Sequence, residues 1–174
     1  MHPRVLPSSR AFSLVELVIV VAILAIIGAI AIPRVSASAG AASESAMVKD
    51  WRELQTAAEL FAAEHAGLSI GLDAKEIPVN ADTVATRLLD QTNLHGTTTG
   101  ATPFGPYLDK IPANRENNLR TLRVDGADAG AGTHGWRLDS ASGVFAPDTA
   151  EGVNIIKNLT GSKLDLGGVA EVIP

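Results

Sequence analysis

Residues 12–32, FSLVELVIVVAILAIIGAIAI, form a run of 21 positions in which Glu16 is the only charged residue. At 1.5 Å per residue such a run rises about 31 Å as a helix, matching the roughly 30 Å hydrocarbon thickness of a bilayer. The pattern therefore predicts a transmembrane helix segment over 12–32. A carboxylate near the middle of a spanning helix costs about 2.5–3.5 kcal/mol, and less toward its ends, so Glu16 calls for a specific reason. Farther along, Met47, Trp51, Leu54, Ala58 and Phe61 are spaced four, three, four and three, which draws one apolar stripe along a helix. Lys49, Asp50, Arg52, Glu53, Glu59 and Glu64 fall on its other faces. Between the two patterns Pro33 is expected to remove one backbone hydrogen bond and kink or loosen the helix, which resumes over 33–66 and stops near Gly67. A continuous helix over 12–66 would extend about 82 Å. An ordinary domain cannot enclose that length, so its first half needs cover from lipid or from other subunits.

The remaining residues, 67–174, are expected to form a globular head. NADTVATRLLDQTNLHG places a capping residue, Asn80 or Asp82, before apolar Val84, Leu88 and Leu89, and predicts a short helix over 82–92. Residues 97–118, rich in Thr, Gly, Pro and Asn, are expected to be loop, and LRTLRV at 119–124 a strand with Arg120 and Arg123 on its solvated face. GWRLDSASGVFAPD at 135–148 reads as a hairpin, with Trp136 and Leu138 on one face and a polar turn at 140–143. The tail mixes a helix capped by Asp148, with Glu151 three residues on, and a last apolar stretch that suits a strand.

At 174 residues the chain has room for one anchored domain. It has no cysteine, which excludes disulfides, thiolate metal sites and cysteine nucleophiles. The net charge of −5 does not suit nucleic acid as a partner. His65, His95 and His134 fall in no zinc pattern, and no nucleophile-elbow or phosphate-loop motif occurs, so no enzymatic activity is expected. Asn158, Leu159 and Thr160 form a sequon of the kind that arises often by chance. A secretory signal peptide is the plainer reading of the N-terminus, with a small-x-small pattern at Ala29, Ile30 and Ala31 or at residues 36–39. Against it, the apolar run exceeds the usual 7–15 residues of a signal core and contains Glu16.

The junction itself supplies a further argument. A leader of residues 1–11 with Arg4 and Arg10 ends on the small residue Ala11, then come Phe12 and, four residues on, Glu16. This resembles the type IV pilin and pseudopilin class of prepilins. The resemblance implies cleavage between Ala11 and Phe12 by a prepilin peptidase on the cytoplasmic side, N-methylation of Phe12, and an assembly role for Glu16. It departs from the class at Ala11, where Gly is preferred. Pro33 falls where pilin helices often carry a proline. One helical turn separates Phe12 from Glu16, so a new amino terminus could be neutralised by its own Glu16 or by a neighbour's, and the second arrangement links subunits.

GPYLDKIPANR at 105–115, followed by a strand and GWRLDSASGVF, is similar to the head of type II secretion major pseudopilins. That similarity implies an α+β fold with the long helix packed on a small antiparallel sheet. It also raises calcium, for which DGADAG offers Asp125 and Asp128 but too few ligands for a dedicated loop, so a Gly-rich turn is the favoured reading and no cofactor is assigned. The function so implied is that of a structural subunit polymerised into a type II secretion pseudopilus. A type IV pilin for adhesion, motility or DNA uptake and a membrane-tethered binding domain are the alternatives. The expected partners are copies of the chain in a helical filament, other pseudopilins or pilins, the prepilin peptidase and an inner-membrane assembly platform. The expected location is the inner membrane, single-pass, with the leader cytoplasmic and the head periplasmic or extracytoplasmic.

Overall fold

The computed structural model describes residues 12–127 and 130–161, with the side chains of 30–39 left aside. The chain divides into two compact units, Met1–Ala41 and Ala42–Pro174. Helix α1, Leu14–Glu64, supplies the described secondary structure of the first unit and continues into the second. It runs through Pro33, so the expected resumption after the proline holds. Its C-terminus closes through a bond from the Gly67 N–H to the Ala62 carbonyl at 2.8 Å, with Ala66 at φ 57° and Gly67 at φ 85°. These left-handed residues turn the chain away from the helix axis.

In the second unit the stripe packs as its spacing predicts. Met47, Leu54 and Phe61 are fully buried, Trp51 and Ala58 nearly so, and they meet Trp136, Leu138 and Phe145 of the sheet. Each large side chain so covered contributes about 1.5–3 kcal/mol. The Trp51 indole also donates to the Phe145 carbonyl at 2.7 Å, which fixes the helix against the sheet. Helix α2, Ala81–Leu89, begins where Asn80 Oδ1 accepts the Thr83 N–H at 2.8 Å, and it buries Val84 and Leu88 in the same core.

Among the described residues the sheet has three strands, β1 (Leu122–Val124), β2 (Ala131–Asp139) and β3 (Val144–Thr149), in the order β1-β2-β3. β2 and β3 form the expected hairpin, with Leu138 opposite Phe145 and Trp136 opposite Pro147. β1, however, runs parallel to β2, pairing Leu122 with Trp136 and Val124 with Leu138. The sheet is mixed, not antiparallel. A parallel pair needs about a dozen residues of return path, and the first half of β2 provides part of it by extending past β1 to pair Ala131 with Thr149. Gly135 permits the close approach of the incoming chain, because a Cβ there would lie 2.2 Å from the Leu119 carbonyl oxygen.

Two further expectations need correcting. Helix α3, Ala150–Thr160, follows β3 directly and is capped in position by Thr149, not by Asp148, whose carboxylate turns inward to the strands. Arg123 does not lie solvated on β1 either, because Asp148 draws its guanidinium over the sheet. Arg120 is exposed, with its Nη1 donating to the Ile111 carbonyl at 2.6 Å. The stretch beyond Gly161 lies outside the described residues.

Among the described residues no helix is long and apolar enough to cross a membrane, against the expectation for 12–32. The helical part of the run with described side chains, residues 14–29, rises only about 24 Å. The rest of the run, to Ile32, falls among side chains outside the description.

Candidate assembly site

Phe12 and Ser13 lead into α1, whose first backbone bond joins the Leu17 N–H to the Ser13 carbonyl at 3.2 Å. Glu16 lies in the first turn and is exposed. Four N–H groups at a helix start lack intrahelical partners and carry a partial positive charge, which an acid in the first turn offsets. Glu16 is the only acid between residues 12 and 43, so that compensation falls to it alone. A new amino terminus at Phe12 would add a full positive charge beside the same turn.

Around this acid the helix is apolar on every side. Twelve large apolar side chains from Phe12 to Ile27 are each 49–79% exposed. Because they include the consecutive residues Leu17, Val18, Ile19, Val20 and Val21, they cover the full circumference and not a stripe. A helix apolar all round is stable only when lipid or protein surrounds it. The arrangement therefore joins one carboxylate at a helix start to a long unpartnered apolar cylinder. Ala11, the other half of the predicted cleavage junction, lies outside the described residues. Pro33 sits within α1.

Several titratable groups of the head are held in internal contacts. Asp125 accepts both the Ser140 N–H at 2.8 Å and the Ser140 hydroxyl at 2.6 Å, so it anchors the β2–β3 turn; Asp128 lies outside the described residues. Among the described residues no three His, Asp or Glu side chains converge as a metal site. His65 is buried and stacked on Phe61 at 3.8 Å between centroids, with Nδ1 bonded to the Phe61 carbonyl and Nε2 to the Thr92 hydroxyl. Neither ring nitrogen is free to bind a metal. His95 is exposed, and His134 pairs with the Thr133 hydroxyl.

Several structural residues carried no sequence signal. Buried Arg87 donates to the carbonyls of Ile70, Leu72 and Gly96, and its burial lowers its pKa. Tyr107, in the Gly-Pro-Tyr-Leu segment, donates its hydroxyl to Glu64 at 2.6 Å, tying that loop to the end of α1; burial first, then this bond, pushes the phenol pKa up. The backbone N–H groups of Tyr107 and Leu108 both donate to the Leu88 carbonyl. None of these pairs has a fixed spacing that a linear pattern could reveal.

Residues 6–32 match the family described as the prokaryotic N-terminal methylation motif. No curated protein and no solved structure matches the chain. The matched segment contains Ala11, Phe12 and Glu16 and ends at Ile32, the last residue of the apolar run. The chain thus carries the N-terminal methylation motif of type IV prepilin-like proteins.

Proposed function

We propose that the chain is the structural subunit of a type II secretion pseudopilus. A prepilin peptidase cuts between Ala11 and Phe12 and Phe12 is N-methylated, while residues 12–32 hold the subunit in the inner membrane with the head outside the cytoplasm. An assembly platform then draws subunits from the membrane, and α1 exchanges lipid for neighbouring copies. The observation that carries this reading is the apolar cylinder at the start of α1, interrupted only by Glu16 and lying within the matched methylation motif. Such a surface suits a helix that is covered first by lipid and later by copies of itself. The resemblance of residues 105–115 and 135–145 to pseudopilin heads, with the absence of cysteine, favours a pseudopilus over an adhesive pilus.

Terminal mass spectrometry of the mature protein tests the processing, with a chain beginning at methylated Phe12 as the expected result. A start at Ile32 or Gly40 would establish a signal peptide, and an intact leader would establish a permanent membrane tether. Deleting the gene should abolish secretion of exported proteins; a loss of surface pili with normal secretion would instead establish the pilin alternative.

A further inference from the structure

The head carries two patches of opposite charge on opposite flanks of α1. The first is a groove of about 300 Å³ between α1 and α3, with Val48, Ile155 and the 56% exposed Leu159 as apolar lining and Glu44 and Glu151 as its charged residues. No cation lines it. The second is a cleft of about 250 Å³ formed by Lys110, Arg115 and Arg120 against Asp50 and Glu53 of α1. There Arg115 is paired with Asp50 at 2.7 Å, which leaves Lys110 and Arg120 facing the single acid Glu53. The Arg120 bond to the Ile111 carbonyl holds that guanidinium in place.

Their placement follows from the helix. At 100° per residue, the direction of Glu44 and Val48 lies about 170° around α1 from that of Asp50 and Glu53, and about 8 Å lower along the axis. Two complementary patches on opposite flanks of one rod cannot satisfy each other within a single copy. Repeated between copies, such a contact is heterologous and open, generating a helical stack and not a closed pair.

The geometry points to a second copy of this chain as the occupant of the α1–α3 groove, presenting its Lys110 and Arg120 to Glu44 and Glu151. This contact rests on the filament reading and specifies its lateral interface. With helices parallel, it staggers neighbouring subunits by about 8 Å. The apolar cylinder supplies cover, whereas charge complementarity between heads sets register and direction.

The experiment uses the full-length chain in its native assembly system. Glu44→Lys with Glu151→Lys should lower filament yield at least tenfold, and Lys110→Glu with Arg120→Glu should do the same. Combining all four substitutions should restore filaments, a rescue that misfolding of either double variant could not produce. Carbodiimide, which joins a lysine amine to a carboxylate in contact, should also link Lys110 to Glu44 or Glu151 between subunits of wild-type filaments. Filaments that persist in both double variants, or a fourfold variant without rescue, would overturn the contact while leaving the filament reading intact. Failure of the wild-type chain to form filaments would overturn both.

Discussion

Arg123 lies across Asp148 in a bidentate pair, with Nη2 2.6 Å from Oδ1 and Nε 3.0 Å from Oδ2, and so joins β1 to β3 over the intervening β2. Asp148 is fully buried and also accepts the N–H groups of Ala131 and His134 and the Thr133 hydroxyl. Burial alone would raise its pKa, but the Arg123 bond, the His134 N–H and the Arg123 charge together hold it below the usual carboxylate value. The carboxylate thus contributes stability that is present above the unfolded pKa of about 3.9 and is lost as pH falls through the lower folded value.

Asp148→Asn should therefore destabilise the head by about 3–5 kcal/mol at neutral pH, since it leaves Arg123 without its counter-ion in a largely buried position. Thermal melts from pH 7 downward check this. The wild-type melting temperature should fall in acid, and the variant should lose part of that dependence. Equal acid sensitivity in both would assign the effect to other carboxylates.

Arg87→Met keeps the bulk of the side chain but removes the donors to Ile70, Leu72 and Gly96. A buried carbonyl left unsatisfied costs about 1–3 kcal/mol, so a loss of about 3 kcal/mol is expected as two loops release together. Amide exchange should accelerate for Leu72 and Gly96, whose N–H groups bond within those loops. Arg87→Lys should rescue little, because one ammonium cannot reproduce the planar fork.

A fragment beginning at Ala42 should be soluble and folded, because it keeps the stripe from Met47 to Phe61 and coincides with the second compact unit. A dispersed amide spectrum checks it. Within that fragment Trp51→Ala should cost about 3–5 kcal/mol, as truncation of a core aromatic does. A melting temperature unchanged by that substitution would show Trp51 to be dispensable to the core.

The success of that stripe and the failure at β1 have the same physical origin. Met47, Trp51, Leu54, Ala58 and Phe61 repeat with the helical period, so their burial could be read from spacing alone. The cap of α2 was legible to within Asn80 or Asp82, because the partner of Asn80 lies only three residues away. The direction of β1 was not, since three residues carry no signal of parallel or antiparallel pairing. Asp148 stands where a helix cap could stand, yet its partner Arg123 is 25 residues distant, and no local rule weighs that pair against the cap. At the N-terminus the methylation motif and the apolar run were legible because the signal is contiguous. The flanking charges on the head were not, because α1, α3 and the loop at 110–120 meet only in three dimensions.

Glu16→Leu should leave membrane insertion and cleavage intact yet prevent assembly. Leu makes the apolar run more apolar, so insertion should improve by about 2–3 kcal/mol if the position lies toward the bilayer interior. Any defect must then come from a lost partner. In the proposed filament the Phe12 ammonium left by cleavage would enter an apolar interior, where a charge without its counter-ion costs about 3–5 kcal/mol. On the proposed reading the pair with Glu16 would lower that penalty and fix axial register between neighbouring helices; with Leu, every added subunit would carry the full cost. Since about 1.4 kcal/mol is tenfold in affinity, subunit addition should weaken by two orders of magnitude or more. Mass analysis first confirms removal of residues 1–11 from the variant, and sheared or overproduced filaments are then counted. Filaments in normal number from a processed Glu16→Leu subunit would refute the pairing and leave the acid with only its role at the helix start.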